Sequence, residues 1–162
     1  MHKLFTLNMA DDIICNIMRL WHQSLIPYLD NKRLLGQHRE CCALRGKGWG
    51  KKHSVVNYVF KHPYRNLYHY HLKIICEMES RGYNVDQSWR NQYYRGKTIG
   101  DDKTQFTLVA EYENGRVFND YHEHNDAYLK ECLLNLQSKG AELINGTCIS
   151  EQLLKLAIEG RA

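Results

Sequence analysis

The sequence predicts a mainly α-helical, compact single-domain bundle with a candidate small β-hairpin around 105–118. Three observations lead there. Apolar residues recur at three- and four-residue intervals in several long stretches, the spacing that gives a helix one buried face. Those stretches open on Asp, Asn or Pro and the longest close on Gly, the residue types that satisfy free amides at a helix start and tolerate positive φ after its end. At 162 residues the chain is long enough for one hydrophobic core and short for two ordinary domains.

Taken in order, residues 1–17 are an N-terminal extension or an upstream start, since Met1, Met9 and Met18 are all candidate starts and motif density rises only at Met18. Residues 18–162 are then the domain. Asp30 or Asn31 caps a first helix running to about Leu44. At ~100° per residue, Leu34, His38, Cys41, Cys42 and Arg45 fall on one side of it, and Arg33, Gln37 and Glu40 on the other with Gly36 and Ala43 alongside. From Arg45 to His53 the glycine-rich run has no core pattern and reads as a loop with accessible amides. Val55 to Phe60 resumes order. Pro63 suits the first turn of a second long helix ending near Arg81 with Gly82 as its cap, and Tyr64, Leu67, His71, Ile74 and Met78 form its buried stripe. Asn114-Gly115 between apolar runs predicts the hairpin. Asn125 or Asp126 starts a third helix with Leu129, Cys132, Leu133 and Leu136 inside, closed by Gly140, and a fourth spans about Ser150 to Glu159.

Charge narrows the partners. The chain has 22 Lys and Arg against 18 Asp and Glu, a formal charge of +4. The excess is clustered: Lys32, Arg33, Arg39, Arg45, Lys47, Lys51 and Lys52 face a single acid, Glu40, within that stretch, which places a positive field where a polyanion docks. The six cysteines have no staple spacing, and with no signal peptide they read as reduced thiols of a cytoplasmic protein. No segment reaches membrane-spanning length.

Met18-Arg-Leu-Trp-His22, then Leu34-Leu-Gly-Gln-His-Arg-Glu40, resembles the opening of the pyrimidine dimer DNA glycosylase (endonuclease V) family, in the branch of bacterial relatives that begin Met-Arg-Leu-Trp-His. His53 with Tyr58, then Arg81-Gly-Tyr-Asn84 and Tyr94-Arg-Gly96, follow in the same order, and Tyr121 to Leu129 resembles a segment of those bacterial relatives. The resemblance implies a helical fold and a DNA repair enzyme: an N-glycosylase with associated abasic-site lyase activity, needing no cofactor, acting as a monomer on lesion-containing double-stranded DNA. It assigns catalysis to Glu40 and Arg39. A carboxylate near C1′ and C2′ of the sugar assists ring opening and proton removal, and arginine forks hold flanking phosphates while a nucleotide is exposed. Residues expected on the DNA are Arg19, Arg33, Gln37, Arg45, Lys47, Trp49, Lys51, Lys52, His53 and Arg95.

The sequence departs from the family pattern at the nucleophile, an N-terminal threonine amine that forms a Schiff base. Arg19 follows Met18 here. Three alternatives stay open: the amine of Met18 as a true start, Lys47 or Lys51 with a depressed pKa, or water activated by Glu40. Arg33 stands where the family prototype has histidine, and the aromatic tail is absent.

Other patterns carry less. Among nine histidines, His62, His69 and His71, or His122 and His124 with Glu123, lack the convergent spacing of a metal site, so no metal is expected. Gly46 to Lys51 looks superficially like a phosphate loop but follows a helix and lacks the Walker ending. Tyr93, Tyr94, Arg95 and Lys97 read as either a stacking cluster or a tyrosine-rich rim, and Trp49 as a wedge or stacking platform, or else as an anchor for its loop. The rival functional readings are a non-catalytic nucleic-acid-binding module on the same scaffold and a protein-interaction role for residues 98–162.

Overall fold

Capping chemistry sets the helix ends in the computed structural model, which describes residues 19–52, 56–105 and 121–159. Helix α1 (Asn31–Arg45) starts where the Asp30 carboxylate accepts the Arg33 amide at 2.8 Å. Helix α2 (Tyr64–Ser80) follows Pro63 and ends before Gly82, whose φ of +84° is cheap only without a Cβ. Helix α3 (Asp126–Ser138) is capped by the Asn125 side chain on the Tyr128 amide, and helix α4 (Ile149–Glu159) packs back on α3. All four match the sequence expectation to within a residue or two. The predicted hairpin around 105–118 and the extension 1–17 lie outside the described residues.

Three short 3-10 turns, at Gln23–Tyr28, Asn57–Lys61 and Gln87–Arg90, join these helices. The first carries Pro27, whose missing amide proton and fixed φ are tolerated in so short an element. Among the described residues the β contribution is a single bridge, Tyr94 with Asp101.

The core lies between α1 and α2. Leu34, Cys41 and Leu44 from α1 meet Leu67, Tyr70, Ile74 and Ile75 from α2, each sealed from solvent. The predicted α2 stripe is buried as expected. Burial of each such Leu or Ile contributes about 1.5–3 kcal/mol before entropy is counted. Cys132, Leu133 and Leu136 of α3 close the core from the other side, with Leu129 half-buried beside them.

Residues 19–29 are clamped by the C-terminal part. Tyr128 donates to the Leu20 carbonyl at 2.6 Å, His22 Nε2 meets the His124 carbonyl at 2.8 Å, and the Ile144 amide donates to the Tyr28 carbonyl at 2.8 Å. On its inner side the same segment is held by Tyr70, whose hydroxyl donates to the Trp21 carbonyl at 2.7 Å. No helix among the described residues is long and apolar enough to cross a membrane.

Candidate functional site

The Glu40 carboxyl lies half-buried where α1 meets residues 19–21 and the end of α3. Gln37, one turn earlier, organises it. Its side-chain nitrogen donates to Glu40 at 2.8 Å and to the Arg19 carbonyl at 2.9 Å, while its oxygen accepts from the Trp21 amide at 2.7 Å and the Tyr70 hydroxyl at 3.1 Å. With four such bonds the amide cannot rotate, so Glu40 is presented in one orientation. Burial pushes the Glu40 pKa up to about 8, opposed by the Arg19 backbone amide, the Lys139 charge and the Gln37 bond. At neutral pH the group is therefore mostly a protonated acid, able to give a proton and then take one back.

Cations and rings frame this carboxyl. The Arg19 guanidinium lies 5.8 Å from the Trp21 ring centre and 5.9 Å from that of Tyr128, and pairs with Glu131 at 2.8 Å. Lys139, at the end of α3, reaches the same Trp21 ring at 6.0 Å. Arg33 pairs with Asp30 at the start of α1. Outside the pocket, Lys32 and Arg39 are exposed along α1, and Lys47, Lys51 and Lys52 are exposed on the turn beyond it. Between them the α1 surface drops to Gly36, where an added Cβ would meet open space, and exposed Ala43. The stripe expected from the sequence is Arg33, Gln37 and Glu40; of these Gln37 is buried and Arg33 is paired with Asp30, so the exposed basic row consists of other residues.

Several residues expected on DNA belong instead to the interior. Arg45 is fully buried, and its guanidinium donates to the carbonyls of Trp89, Asn91 and Tyr94 at 2.8, 3.0 and 3.1 Å, to Tyr64 Oη at 3.2 Å and to His71 Nδ1 at 3.0 Å. Its geometry corrects the expected phosphate contact: every face of the fork is used on the protein. Arg95 is corrected likewise, since it is buried and holds the Arg45 and Gly46 carbonyls at 2.9 and 3.1 Å and the Asp102 carboxylate. Gln37, 1% exposed, positions Glu40 and is out of a ligand's reach.

Trp49 also departs from the wedge reading. Its ring packs edge-on to Phe60 and Tyr64 at 5.2 and 4.9 Å, and its indole nitrogen donates to Gln105 at 3.2 Å, so it anchors the turn. Four amides of that turn are committed as well. Gly46 donates to Cys42, Gly48 to Ala43, Trp49 to Gly46 and Lys51 to Gly48, which closes the helix end and removes them as a phosphate cradle. Gly48 is required by contact, because a Cβ there would stand 2.7 Å from the Ala43 carbonyl oxygen. His53 and Met18 lie outside the described residues.

A second polar cluster escaped the sequence reading. His38 Nδ1 meets His71 Nε2 at 2.8 Å, and Cys42 Sγ lies 3.7 and 3.9 Å from ring nitrogens of the two histidines, so that three side chains able to ligate converge within 4.8 Å. Their chemistry does not suit a metal as arranged. Arginine only donates, so Arg45 fixes His71 Nδ1 as an acceptor and leaves the proton on Nε2, the nitrogen a metal would need. His71 Nε2 then donates to His38. Burial and the Arg45 charge hold His71 well below its ordinary pKa, and burial pushes the Cys42 thiol up to about 12, so the cluster is neutral. The i to i+4 spacing of His38 and Cys42 was the one visible signal, and it lacked a partner until α2 supplied His71.

No curated protein and no solved structure matches the chain. The family resemblance is shown over a defined span that takes in Arg19, Gln37, Glu40 and Arg45 and ends before Arg95 and Lys139: residues 18–91 match the model of the pyrimidine dimer DNA glycosylase family.

Proposed function

We propose that the protein excises damaged bases, pyrimidine photoproducts or other base lesions, from duplex DNA, with Glu40 as the acid–base group. The observation that carries this reading is the setting of the Glu40 carboxyl. Here a carboxyl raised to about 8 is oriented by Gln37, ringed by Arg19 and Lys139, and bordered by an exposed basic row on α1 and its following turn. The family match over residues 18–91 supports it.

The chemistry follows from the protonation state. A neutral Glu40 donates its proton to the sugar ring oxygen as the ring opens, which lowers the barrier to losing the base, and the resulting carboxylate takes a proton from C2′ in a later elimination. Arg39, Lys32, Lys47, Lys51 and Lys52 bind the phosphates on either side, and the low surface over Gly36 and Ala43 admits the backbone of a kinked strand. Arg19 and Arg33 line the entrance.

Glu40→Gln tests the assignment. The amide keeps the shape and the Gln37 contact but carries no transferable proton, so base release and strand cleavage on lesion-bearing duplex should fall by about 100-fold or more while binding stays within a few-fold. Undiminished activity in the variant would remove Glu40 from the reaction. Binding without product from the unaltered protein, on any lesion tried, would favour the non-catalytic DNA-binding reading, which the missing N-terminal threonine motivates.

A further inference from the structure

We propose that Lys139 supplies the amine that bonds to the C1′ aldehyde of an opened sugar at an abasic site, with Glu40 beside it moving the protons. This rests on the glycosylase reading above and names the nucleophile that the sequence leaves open between Met18, Lys47 and Lys51.

Placement comes first. Lys139 ends α3, and its backbone is fixed there: its amide donates to the Asn135 and Leu136 carbonyls at 3.3 and 3.2 Å, and Gly140 and Ala141 complete the reversal with bonds to Gln137 and Leu136. From this fixed root the side chain extends to the buried Trp21 ring, 6.0 Å away, the ring that also carries the Arg19 guanidinium. Arg19 in turn shares its carbonyl with the Gln37 amide that orients Glu40. Lys47 and Lys51 stand on the turn past the far end of α1. Lys139 thus reaches the Trp21 ring beside Glu40 while staying exposed to a ligand.

Charge acts in the same direction. Burial against Trp21, then repulsion from Arg19 and Arg33, lowers the Lys139 pKa, with Glu40 opposing. A lysine crowded by two arginines has a larger neutral fraction than one in water, and the neutral amine is the nucleophile.

The step balances without a further reactant. The Nζ lone pair adds to the aldehyde carbon, the carbonyl pair moves to oxygen, and nitrogen gives up one proton as that oxygen gains one. Glu40 protonates the resulting hydroxyl, which leaves as water and gives the iminium. The Glu40 carboxylate then removes a C2′ proton, the electron pair shifts toward the iminium, the C3′–O bond breaks with the phosphate as leaving group, and water releases the amine.

The test uses the full chain, a duplex oligonucleotide with one abasic site, and sodium borohydride, followed by proteolysis and mass mapping of the adduct. The expected adduct is on the peptide containing Lys139. Both Lys139→Ala and Lys139→Arg should lose trapping, and the arginine variant, which keeps the charge, should still bind the duplex in a fluorescence anisotropy titration. An adduct on the N-terminal amine or another lysine, or undiminished trapping by Lys139→Ala, overturns the proposal and leaves the glycosylase reading intact. Glu40-dependent base release from a second, lesion-bearing duplex, with no adduct on the abasic one, does the same, in favour of activated water. Neither adduct nor base release from the unaltered protein overturns both.

Discussion

Two polar clusters sit on opposite sides of α1, and they use the same residue types for opposite ends. On one side, Arg45 and Arg95 spend their donors on backbone carbonyls, Tyr64, His71 and Asp102, and His38, Cys42 and His71 are held neutral beside Arg45. On the other, roughly 200° around the helix by the ~100° rotation per residue, Glu40 has a single side-chain bond from Gln37 and cations that approach without closing over it. The first cluster ties the chain between residues 89 and 102 to the end of α1. The second leaves capacity unspent. A saturated polar group builds structure, whereas one with an open side is available to a ligand.

The largest expected effect breaks the saturated side. Arg45→Ala leaves three partly buried carbonyls and the buried His71 Nδ1 without donors, a loss of about 3–5 kcal/mol that urea denaturation would read as a much lower midpoint or an unfolded chain. Arg45→Lys should recover little of it, because an ammonium cannot span the same set of acceptors. A midpoint near that of the unaltered protein would mean the carbonyls find water, and the contrast between the clusters would fail.

A smaller effect separates the two by pH. His71 and His38 have depressed folded-state pKa values, so the unfolded chain binds protons more readily below about 6.5, and stability falls as pH drops through that range. Glu40 runs the other way. Its folded pKa of about 8 against an ordinary 4.5 makes the folded state the better proton binder in between, so its contribution is lost as pH rises from 4.5 to 8. Glu40→Gln should therefore raise the melting temperature at pH 8 while His71→Asn flattens the acid limb. Melting curves at pH 5, 6.5 and 8 check both signs, and a Glu40→Gln protein less stable at pH 8 would show that the carboxylate is stabilised rather than strained.

The smallest effect lies outside both clusters. Neutralising exposed Lys51 and Lys52 should leave the melting temperature unchanged and reduce the salt dependence of duplex binding by about one unit of slope per lost phosphate contact. An unchanged slope would move the DNA path off this turn.

The helices were legible because their ends are encoded locally: Asp30, Pro63 with Gly82, and Asn125 with Gly140 act within one turn. Glu40 was legible through the family motif. The fates of Arg45 and Arg95 were not, since a basic run reads the same whether its members face water or a ring of carbonyls, and those carbonyls belong to residues 89–94 and 45–46 in a packing no local pattern records. Lys139 was illegible for a related reason. It closes a helix in a part of the chain with no distinctive motif, and only the packing of α3 against residues 19–21 brings it to Glu40.

That packing gives the C-terminal part a leverage of its own. The segment with the family match ends at residue 91, yet the Arg19 guanidinium is held by Tyr128 and Glu131, and Lys139 lies over the Trp21 ring. A substitution on α3 or at Lys139 can therefore shift the acidity of the Glu40 carboxyl while every residue of the matched segment stays as it is. The inner and outer parts of this corner of the fold are therefore separable targets for substitution.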